Sequence, residues 1–227
     1  IWAQGFTHPK ENVTTALRDS CNYFFYTVGH DLGIDTLGEY AHALGLGVST
    51  GIELVETTGN MSNAANHMDY AGSEWRIGDT LQAAIGQSDS VFTPLQLAEY
   101  CAAVANNGER HSASILKSIR NYDYSEKVYE RQDEVLSTVE SPQYNWDAIH
   151  EGMKEVINSP LNETNYLNFY DCAVTVAGKT GTAQKGEGIK NDGLFICYAP
   201  YEDPEIAVAV VVERGHAGAS VGFIARQ

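Results

Sequence analysis

Residues 177–184 read Ala-Gly-Lys-Thr-Gly-Thr-Ala-Gln, and the assignment of the fold depends on this stretch more than on any other. Residues 172–176 before it and 194–198 after it are rich in β-prone side chains. A short apolar or β-branched run bounded by glycine is typical of a strand. The pattern therefore predicts that the Lys-Thr-Gly triplet lies on a strand, near its end or at the edge of a sheet.

A strand with this sequence combines several groups that bind an extended peptide end. Lys179 and the hydroxyls of Thr180 and Thr182 can hold a carboxylate, and Gly181 lets another backbone approach closely. The N–H of Thr182 can point at an oxyanion, as acyl transfer requires. An alternative interpretation is a glycine-rich strand end with a solvated lysine, and the triplet alone does not separate the two.

The composition is that of a folded, acidic protein. The chain has 227 residues, of which 43% are hydrophobic and 19% are charged, with 14 basic against 30 acidic side chains and a net charge of −16. This length suffices for one sizeable domain or for two parts that share a core. Such an excess of negative charge disfavours both nucleic-acid binding and attraction to an anionic membrane surface.

The start of the chain and the spacing of its cysteines each support a prediction. The chain begins at Ile1 rather than at methionine and shows no signal peptide, so we expect it to be a piece of a longer protein. The four cysteines, at positions 21, 101, 172 and 197, are isolated from one another, which predicts no zinc site and no other metal or cofactor. We expect Cys101, Cys172 and Cys197 to be buried thiols, with a Cys172–Cys197 bridge as an open alternative.

The first two thirds of the chain show helical patterns. Predicted helices cover 14–19, 23–32, 36–44, 75–85, 94–105 and a stretch that begins after Pro142 and includes 146–157. The 23–32 helix is apolar enough to be buried. Residues 1–11, 45–59, 60–73 and 159–171 are expected to be loops, with 60–73 exposed, and 109–140 to be a strand pair or a surface excursion.

The pattern changes to strands near the end of the chain. We predict strands at 172–184, 193–199 and 205–213, the last two forming an antiparallel hairpin, and the start of a helix at 219–227. Helices followed by a short antiparallel sheet define an α+β fold, with some helices on the sheet and others in a separate lobe. The predicted parts are a mainly helical one over 1–171 and a sheet part over 172–227.

Several short motifs, each present once, follow one another along the chain. Ser20-Cys21-Asn22 precedes an apolar helix, Ile85-Gly86-Gln87 and Thr93-Pro94-Leu95-Gln96 follow, and the Lys-Thr-Gly triplet comes far downstream. In this combination the sequence resembles the penicillin-binding protein and serine β-lactamase superfamily, and in detail the transpeptidase domain of class B penicillin-binding proteins. The resemblance runs along nearly the whole chain and implies a β-lactamase/transpeptidase-like fold.

The resemblance implies roles for individual residues. Catalytic roles fall to Ser20, which would pass protons, to Asn22, which would hydrogen-bond the amide of the substrate, and to Lys179, which would set the local field. In substrate binding, Thr180 and Thr182 would hold the terminal carboxylate and Gly181 would admit the substrate strand. Read without the resemblance, Ser20 is a helix cap and Asn22 a turn residue.

The sequence departs from the family in one respect. A Ser-x-x-Lys motif with the nucleophile should precede Ser20, and residues 1–19 contain none. Thr7-His8-Pro9-Lys10 has the spacing, but proline would spoil the required helix, and Ser114-Ile115-Leu116-Lys117 comes too late in the chain. We therefore expect the nucleophile and its helix to lie outside these residues, and this chain alone to be inactive.

Three functions are compatible with the resemblance. The first is a peptidoglycan D,D-transpeptidase acting on D-Ala-D-Ala stem peptides, inhibited by β-lactams, membrane-anchored at the extracytoplasmic face and paired with a membrane glycosyltransferase. The second is a D,D-carboxypeptidase or β-lactamase, and the third is a β-lactam sensor or an inactive scaffold. In each, Ser20, Asn22 and Lys179 should converge at one cleft.

Because the helix that carries the nucleophile is expected to lie outside these residues, the chain should have an apolar surface beside Lys179. We expect this surface to be covered by self-association or by residues 1–11.

Overall fold

The computed structural model of the chain describes residues 8, 10–186 and 188–227. Most of the N-terminal loop predicted over 1–11, and with it the question of what these residues cover, lies outside this part. The helices are α1 (Val13–Arg18), α2 (Asn22–Leu32), α3 (Ile34–Ala43), α4 (His67–Ala71), α5 (Ile77–Ala83), α6 (Pro94–Ala105), α7 (Gln143–Asn158), α8 (Glu163–Phe169) and α9 (Gly222–Ala225). The strands are β1 (Glu109–His111), β2 (Ser118–Arg120), β3 (Lys127–Glu130), β4 (Val135–Thr138), β5 (Ala177–Ala183), β6 (Asp192–Ala199) and β7 (Ile206–Val212).

The main sheet has three antiparallel strands in the order β5-β6-β7. Lys179 faces Ile196 on β6, and Ile196 faces Ala209 on β7. The Lys-Thr-Gly triplet therefore lies on a strand at the edge of this sheet, as the sequence predicts. The excursion over 109–140 forms two small antiparallel pairs, β1 with β4 and β2 with β3.

The apolar core lies where α6, α7, α8 and α9 pack on the sheet. One cluster of buried side chains joins α7, α8 and β6, and it consists of Val156, Ile157, Phe169, Val176, Phe195, Cys197 and Val221. A second cluster joins α6, α7 and the sheet, and it consists of Cys101, Val104, Ala105, Met153, Ala177 and Tyr198. These contacts confirm the α+β class, with helices packed directly on the sheet. No helix among the described residues is long and apolar enough to cross a membrane.

Local sequence signals place the start of α6 correctly. Thr93 is the N-cap and Pro94 the first helical residue, while Gln96 Oε1 accepts a hydrogen bond from the Thr93 N–H at 3.0 Å. Gln96 is fully buried, and its amide also donates to the carbonyls of Val48 and Thr58 at 2.7 and 2.8 Å. This capping box therefore also secures the long loop between α3 and α4.

The prediction that the 23–32 helix is buried is wrong for this chain. In α2 only Gly29 is buried, whereas Tyr23, Val28 and Leu32 are 80%, 38% and 43% exposed. An apolar sequence gives a helix its tendency to be buried, but burial also requires a partner surface. Among the described residues α2 packs chiefly on α5 and α3, so much of its apolar surface faces outward.

The prediction of an exposed polar loop over 60–73 is correct only in part, since residues 64, 65 and 68–73 are exposed but α4 lies within the segment and three polar side chains are buried. Asn60, Ser62 and His67 are buried, and each finds a polar partner at Asp89 or Ser90. The Asn60 amide donates to the Asp89 carbonyl at 2.9 Å, and His67 Nδ1 lies 2.5 Å from Asp89 Oδ2. Buried polar groups are stable when they are hydrogen-bonded, so polarity alone did not indicate exposure.

Two further predictions fail at the entry to the sheet. Residues 159–171, expected to be a loop, contain α8. Phe169 at its end is buried and stacks on Phe195, with ring centroids 5.6 Å apart. The strand begins at Ala177 rather than at position 172. Cys172 is a free, half-buried thiol and forms no bridge to Cys197, which is buried as expected.

Candidate active site

The edge strand and the start of α2 meet through one short side-chain contact. Lys179 Nζ donates to Ser20 Oγ at 2.6 Å, although the two residues are 159 positions apart in the chain. The same amine lies 3.1 Å from the Thr180 carbonyl oxygen and 3.5 Å from Thr180 Oγ1. The structure thus brings together a lysine amine and two hydroxyls predicted from the sequence to form one site.

Ser20 is held in an unusual backbone conformation by the end of α1. Its φ is +49°, in the left-handed region that L-residues rarely adopt. The Ser20 N–H bonds the Leu17 carbonyl at 3.3 Å and the Cys21 N–H bonds the Ala16 carbonyl at 2.9 Å. This pair of bonds is a Schellman motif, in which Ser20 takes the position usually given to glycine. Ser20 therefore belongs to the C-terminal cap of α1 and is not the N-cap of α2, which is Cys21.

Burial lowers the pKa of Lys179 to about 8, from an ordinary value of 10.5. No carboxylate forms an ion pair with Lys179 in the described part of the chain, so no opposite charge offsets the loss of hydration. An amine with this pKa can exchange its proton at neutral to mildly alkaline pH. The short contact gives that proton a direct path to or from the Ser20 hydroxyl.

The free edge of β5 presents backbone groups outward from the sheet. The Thr180 carbonyl accepts from Lys179 Nζ, and the Thr182 carbonyl accepts from Gln87 Nε2 at 3.0 Å, so both carbonyls point away from β6. In an antiparallel strand the N–H and C=O of one residue point to the same side. The N–H groups of Thr180 and Thr182 therefore face outward as well, where an added strand would meet them.

A glycine turn covers the face of β5 that carries the threonine hydroxyls. The Gly218 N–H donates to Thr182 Oγ1 at 3.2 Å. This bond uses an acceptor lone pair of the hydroxyl and leaves its own proton available to a carboxylate. Gly218 lies so close to β5 that a Cβ there would sit 2.6 Å from the Gly181 nitrogen, and closer still to the carbonyl oxygens of Gly181 and Leu194.

For the other predicted site residues, Asn22 and Gly181, the structure shows fewer contacts that bear on the site. Asn22 begins α2, two positions after Ser20, and its exposed side chain makes no hydrogen bond to the described residues, so its approach to Lys179 remains a prediction. A Cβ on Gly181 would lie 3.2 Å from Leu194 Cβ, a tight contact, so the sheet itself also favours a small residue there. The sequence assigned no role to Gly218 or to Gln87, although Gln87 lies in the Ile85-Gly86-Gln87 motif, because neither residue type in a loop signals a contact with a distant strand.

The lowered pKa of Lys179 makes a testable prediction. In a pH titration of the folded protein, the lysine signal that is missing from a Lys179→Met variant should titrate near pH 8 rather than near 10.5. Carbon-13 labelling of lysine Cε makes that signal visible by NMR. A midpoint near 10.5 would contradict the burial of this amine.

The sign of the accompanying stability change follows from the same shift. The folded state holds the Lys179 proton less tightly than the unfolded chain, so charging the amine costs folding free energy. That cost is complete below pH 8 and disappears as the pH rises towards 10.5. Relative to Lys179→Met, the wild type should therefore become more stable over this alkaline range.

Comparison with known proteins identifies the family. The family model described as "Penicillin binding protein transpeptidase domain" matches residues 2–227, and the chain belongs to this family. Peptidoglycan D,D-transpeptidase MrdA of Escherichia coli (strain K12) is 31% identical over 235 residues, which cover 97% of this chain and 37% of the relative. The chain thus spans about a third of the length of the curated relatives it matches.

Solved structures agree with this assignment. Penicillin-binding protein PBP2 of Helicobacter pylori, in its complex with MreC, superimposes with a TM-score of 0.81 at 28% identity, covering 96% of this chain and 39% of the other. A peptidoglycan synthase complex studied for its coordination of polymerization and crosslinking gives a TM-score of 0.76 at 28% identity, covering 95% and 36%. The chain therefore has the fold of a class B transpeptidase domain.

Proposed function

We propose that this chain forms the substrate-binding and proton-relay part of a peptidoglycan D,D-transpeptidase. The observation that carries the proposal is the 2.6 Å contact between Lys179 Nζ and Ser20 Oγ beside a free strand edge, in a chain of this family. The substrate is the D-Ala-D-Ala end of a stem peptide, and β-lactams occupy the same site. The nucleophilic serine and its lysine belong to a Ser-x-x-Lys motif outside these 227 residues.

The Lys179–Ser20 pair moves protons in both halves of the reaction. In the first half the oxygen of the nucleophilic serine bonds the carbonyl carbon of the penultimate D-Ala, the peptide C–N bond breaks, and the proton of that serine reaches the departing D-Ala amine through Ser20. In the second half the amine of a neighbouring stem peptide attacks the ester, the ester C–O bond breaks, and the proton of the amine returns to the nucleophilic serine along the same path. A lysine with a pKa of about 8 suits both directions near neutral pH.

The edge of β5 binds and polarises the substrate. Thr180 and Thr182 donate their hydroxyl protons to the terminal carboxylate, with Lys179 nearby as the cation. The outward N–H of Thr182 supplies half of the oxyanion hole, and the N–H of the nucleophile supplies the rest. Gly181 keeps the strand free of a side chain where the peptide lies, and Asn22 hydrogen-bonds the amide of the substrate.

The cellular setting is inferred from the relatives. A D,D-transpeptidase of this type acts at the extracytoplasmic face of the bacterial membrane, where its substrate is assembled. The similarity to a synthase complex with coupled polymerization and crosslinking supports a membrane glycosyltransferase as a partner of the full-length protein.

The products of a peptide assay test the proposal. The full-length protein is incubated with a stem pentapeptide ending in D-Ala-D-Ala and with an amine acceptor, and the products are identified by mass spectrometry. We expect the cross-linked product and free D-Ala. A tetrapeptide alone would indicate a carboxypeptidase, whereas no turnover together with a stable penicillin adduct would indicate a sensor. The 227-residue chain alone should form no covalent penicillin adduct that survives boiling.

The strained backbone at Ser20 makes a further prediction. Ser20→Gly should stabilise the fold by up to about 1 kcal/mol, because glycine adopts positive φ without strain, yet it should slow acylation of the full-length protein by penicillin at least about tenfold. Ser88→Gly is the matched control, because Ser88 is exposed at φ +65° and its side chain makes no hydrogen bond to the described residues. Chemical denaturation and stopped-flow labelling measure the two effects. Equal acylation rates in the two variants would remove Ser20 from the relay.

A further inference from the structure

We propose that Gln87 is a positioning residue that fixes the peptide groups around Thr182 in the orientation needed for the oxyanion hole. The inference rests on the proposed function and extends it to a residue outside the Ser-x-x-Lys, Ser20-Cys21-Asn22 and Lys-Thr-Gly motifs. Gln87 lies in the loop after α5, and its half-buried side chain reaches the end of β5, 95 residues further along the chain.

Two hydrogen bonds from one side-chain amide define the contact. Gln87 Nε2 donates to the Thr182 carbonyl at 3.0 Å, and Gln87 Oε1 accepts from the Gln184 N–H at 3.3 Å. A neighbouring parallel strand would bond in the same way, since one of its residues donates to a carbonyl and accepts from the N–H two residues further on. The carboxamide of Gln87 thus replaces a strand at this point of the edge.

The pattern of bonds leaves one group of Thr182 free. Its carbonyl is bound by Gln87 and its hydroxyl accepts from the Gly218 N–H at 3.2 Å, while its own N–H faces outward with no part in either bond. Thr182 is therefore held on two sides, and the remaining N–H points in a fixed direction. A preorganised donor of this kind stabilises an oxyanion without reorganisation during the reaction.

The other end of the Gln87 contact is attached to the part of the chain that carries Ser20. Gln87 follows α5, which packs closely on α2: a Cβ on Gly29 of α2 would overlap the Ala84 Cβ. Helix α2 begins two residues after Ser20. Gln87 thus connects the Ser20 side of the site to the Thr182 side, in addition to the Lys179–Ser20 contact.

Only a primary amide of this length makes both bonds. Glutamate lacks the donor for the Thr182 carbonyl, leucine lacks both polar groups, and asparagine is one methylene shorter. The test is therefore a Gln87→Leu variant of the full-length protein, which keeps a similar volume. Gln82→Leu is the matched control, since Gln82 is an exposed glutamine on α5 whose side chain makes no hydrogen bond to the described residues.

The experiment is stopped-flow acylation by a fluorescent penicillin over a range of concentrations. In this reaction the serine oxygen bonds the lactam carbonyl carbon, the ring C–N bond breaks, and the ring nitrogen takes the serine proton. For Gln87→Leu we expect a 10- to 100-fold lower rate constant at saturating penicillin, because small misplacements of catalytic groups have effects of this size. The half-saturating concentration should change little, and labelling should still reach one penicillin per protein.

Each other outcome has a distinct meaning. A saturating rate constant equal to that of Gln82→Leu would overturn the inference, and so would a reduced labelled fraction with an unchanged rate, which indicates only a partly unfolded protein. A wild-type protein that penicillin does not label at all would overturn the proposed function, and the role of Gln87 with it.

Discussion

Replacing Lys179 by methionine should lower the rate of acylation of the full-length protein by penicillin about 10²- to 10⁴-fold, the range typical of losing a proton-transfer group. The amine contacts Ser20 Oγ at 2.6 Å, and burial lowers its pKa to about 8. Methionine fills a similar volume but can neither carry a proton nor attract a carboxylate. The folded state should tolerate the change, since methionine avoids the cost of burying a charge.

Lys190→Met is the matched control for this variant. Lys190 is exposed, in the loop between β5 and β6, and forms no ion pair with the described residues. Its loss changes the net charge by the same amount without touching the site. The measurement is the rate of penicillin labelling for both variants at the same pH, and similar rates for the two would remove Lys179 from the reaction.

The second large effect is expected at Gly218. A Gly218→Ala variant should unfold at a lower denaturant concentration, with a loss of about 1–3 kcal/mol or more, the usual cost of overpacking. The added methyl group would lie 2.6 Å from the Gly181 nitrogen and closer still to two carbonyl oxygens. Backbone atoms of two paired strands cannot move aside cheaply, so the segment that contains Gly218 must shift away from β5.

Gly38→Ala is the control for this experiment. Gly38 lies inside α3, and a Cβ there would meet no atom within 4 Å. Alanine is the better helix former, so this variant should gain about 0.5–1 kcal/mol. Urea denaturation followed by circular dichroism measures both changes. A Gly218→Ala protein as stable as the wild type would show that the turn does not pack on β5 as described.

The parts of the fold that were predicted correctly have strong local signals. Thr93 and Pro94 mark the start of α6, and apolar side chains at helical spacing reveal α7. The β6 and β7 strands follow from two runs of β-prone residues separated by Pro200 and Pro204. In each case neighbours within a few residues determine the structure, so the sequence pattern is sufficient.

The incorrect predictions share a dependence on distant partners. Helix α8 is stabilised because Phe169 stacks on Phe195, which lies on β6, further along the chain. Within the segment 60–73, Asn60, Ser62 and His67 are buried because Asp89 and Ser90 satisfy their polar groups. Conversely α2, predicted to be buried, is largely exposed because few described residues cover it. Periodicity reports what a segment can bury but not which surface will receive it.

The candidate site divides in the same way. The Lys-Thr-Gly strand and the Ser20 segment could be predicted, since both resemble family motifs, and the structure brings Ser20 and Lys179 into contact. The left-handed backbone of Ser20, the Gln87 bonds and the Gly218 packing could not be predicted. Each depends on the three-dimensional path of the chain rather than on residue type.

The most direct test of the proposed site is a crystal structure of the full-length protein acylated by a penicillin. We predict that the acyl carbonyl oxygen lies within about 3.2 Å of the Thr182 nitrogen. We also predict that the penicillin carboxylate contacts the hydroxyls of Thr180 and Thr182 near Lys179. An acyl group bound away from the outer edge of β5, with no hydrogen bond to the Thr182 N–H, would contradict the proposed site.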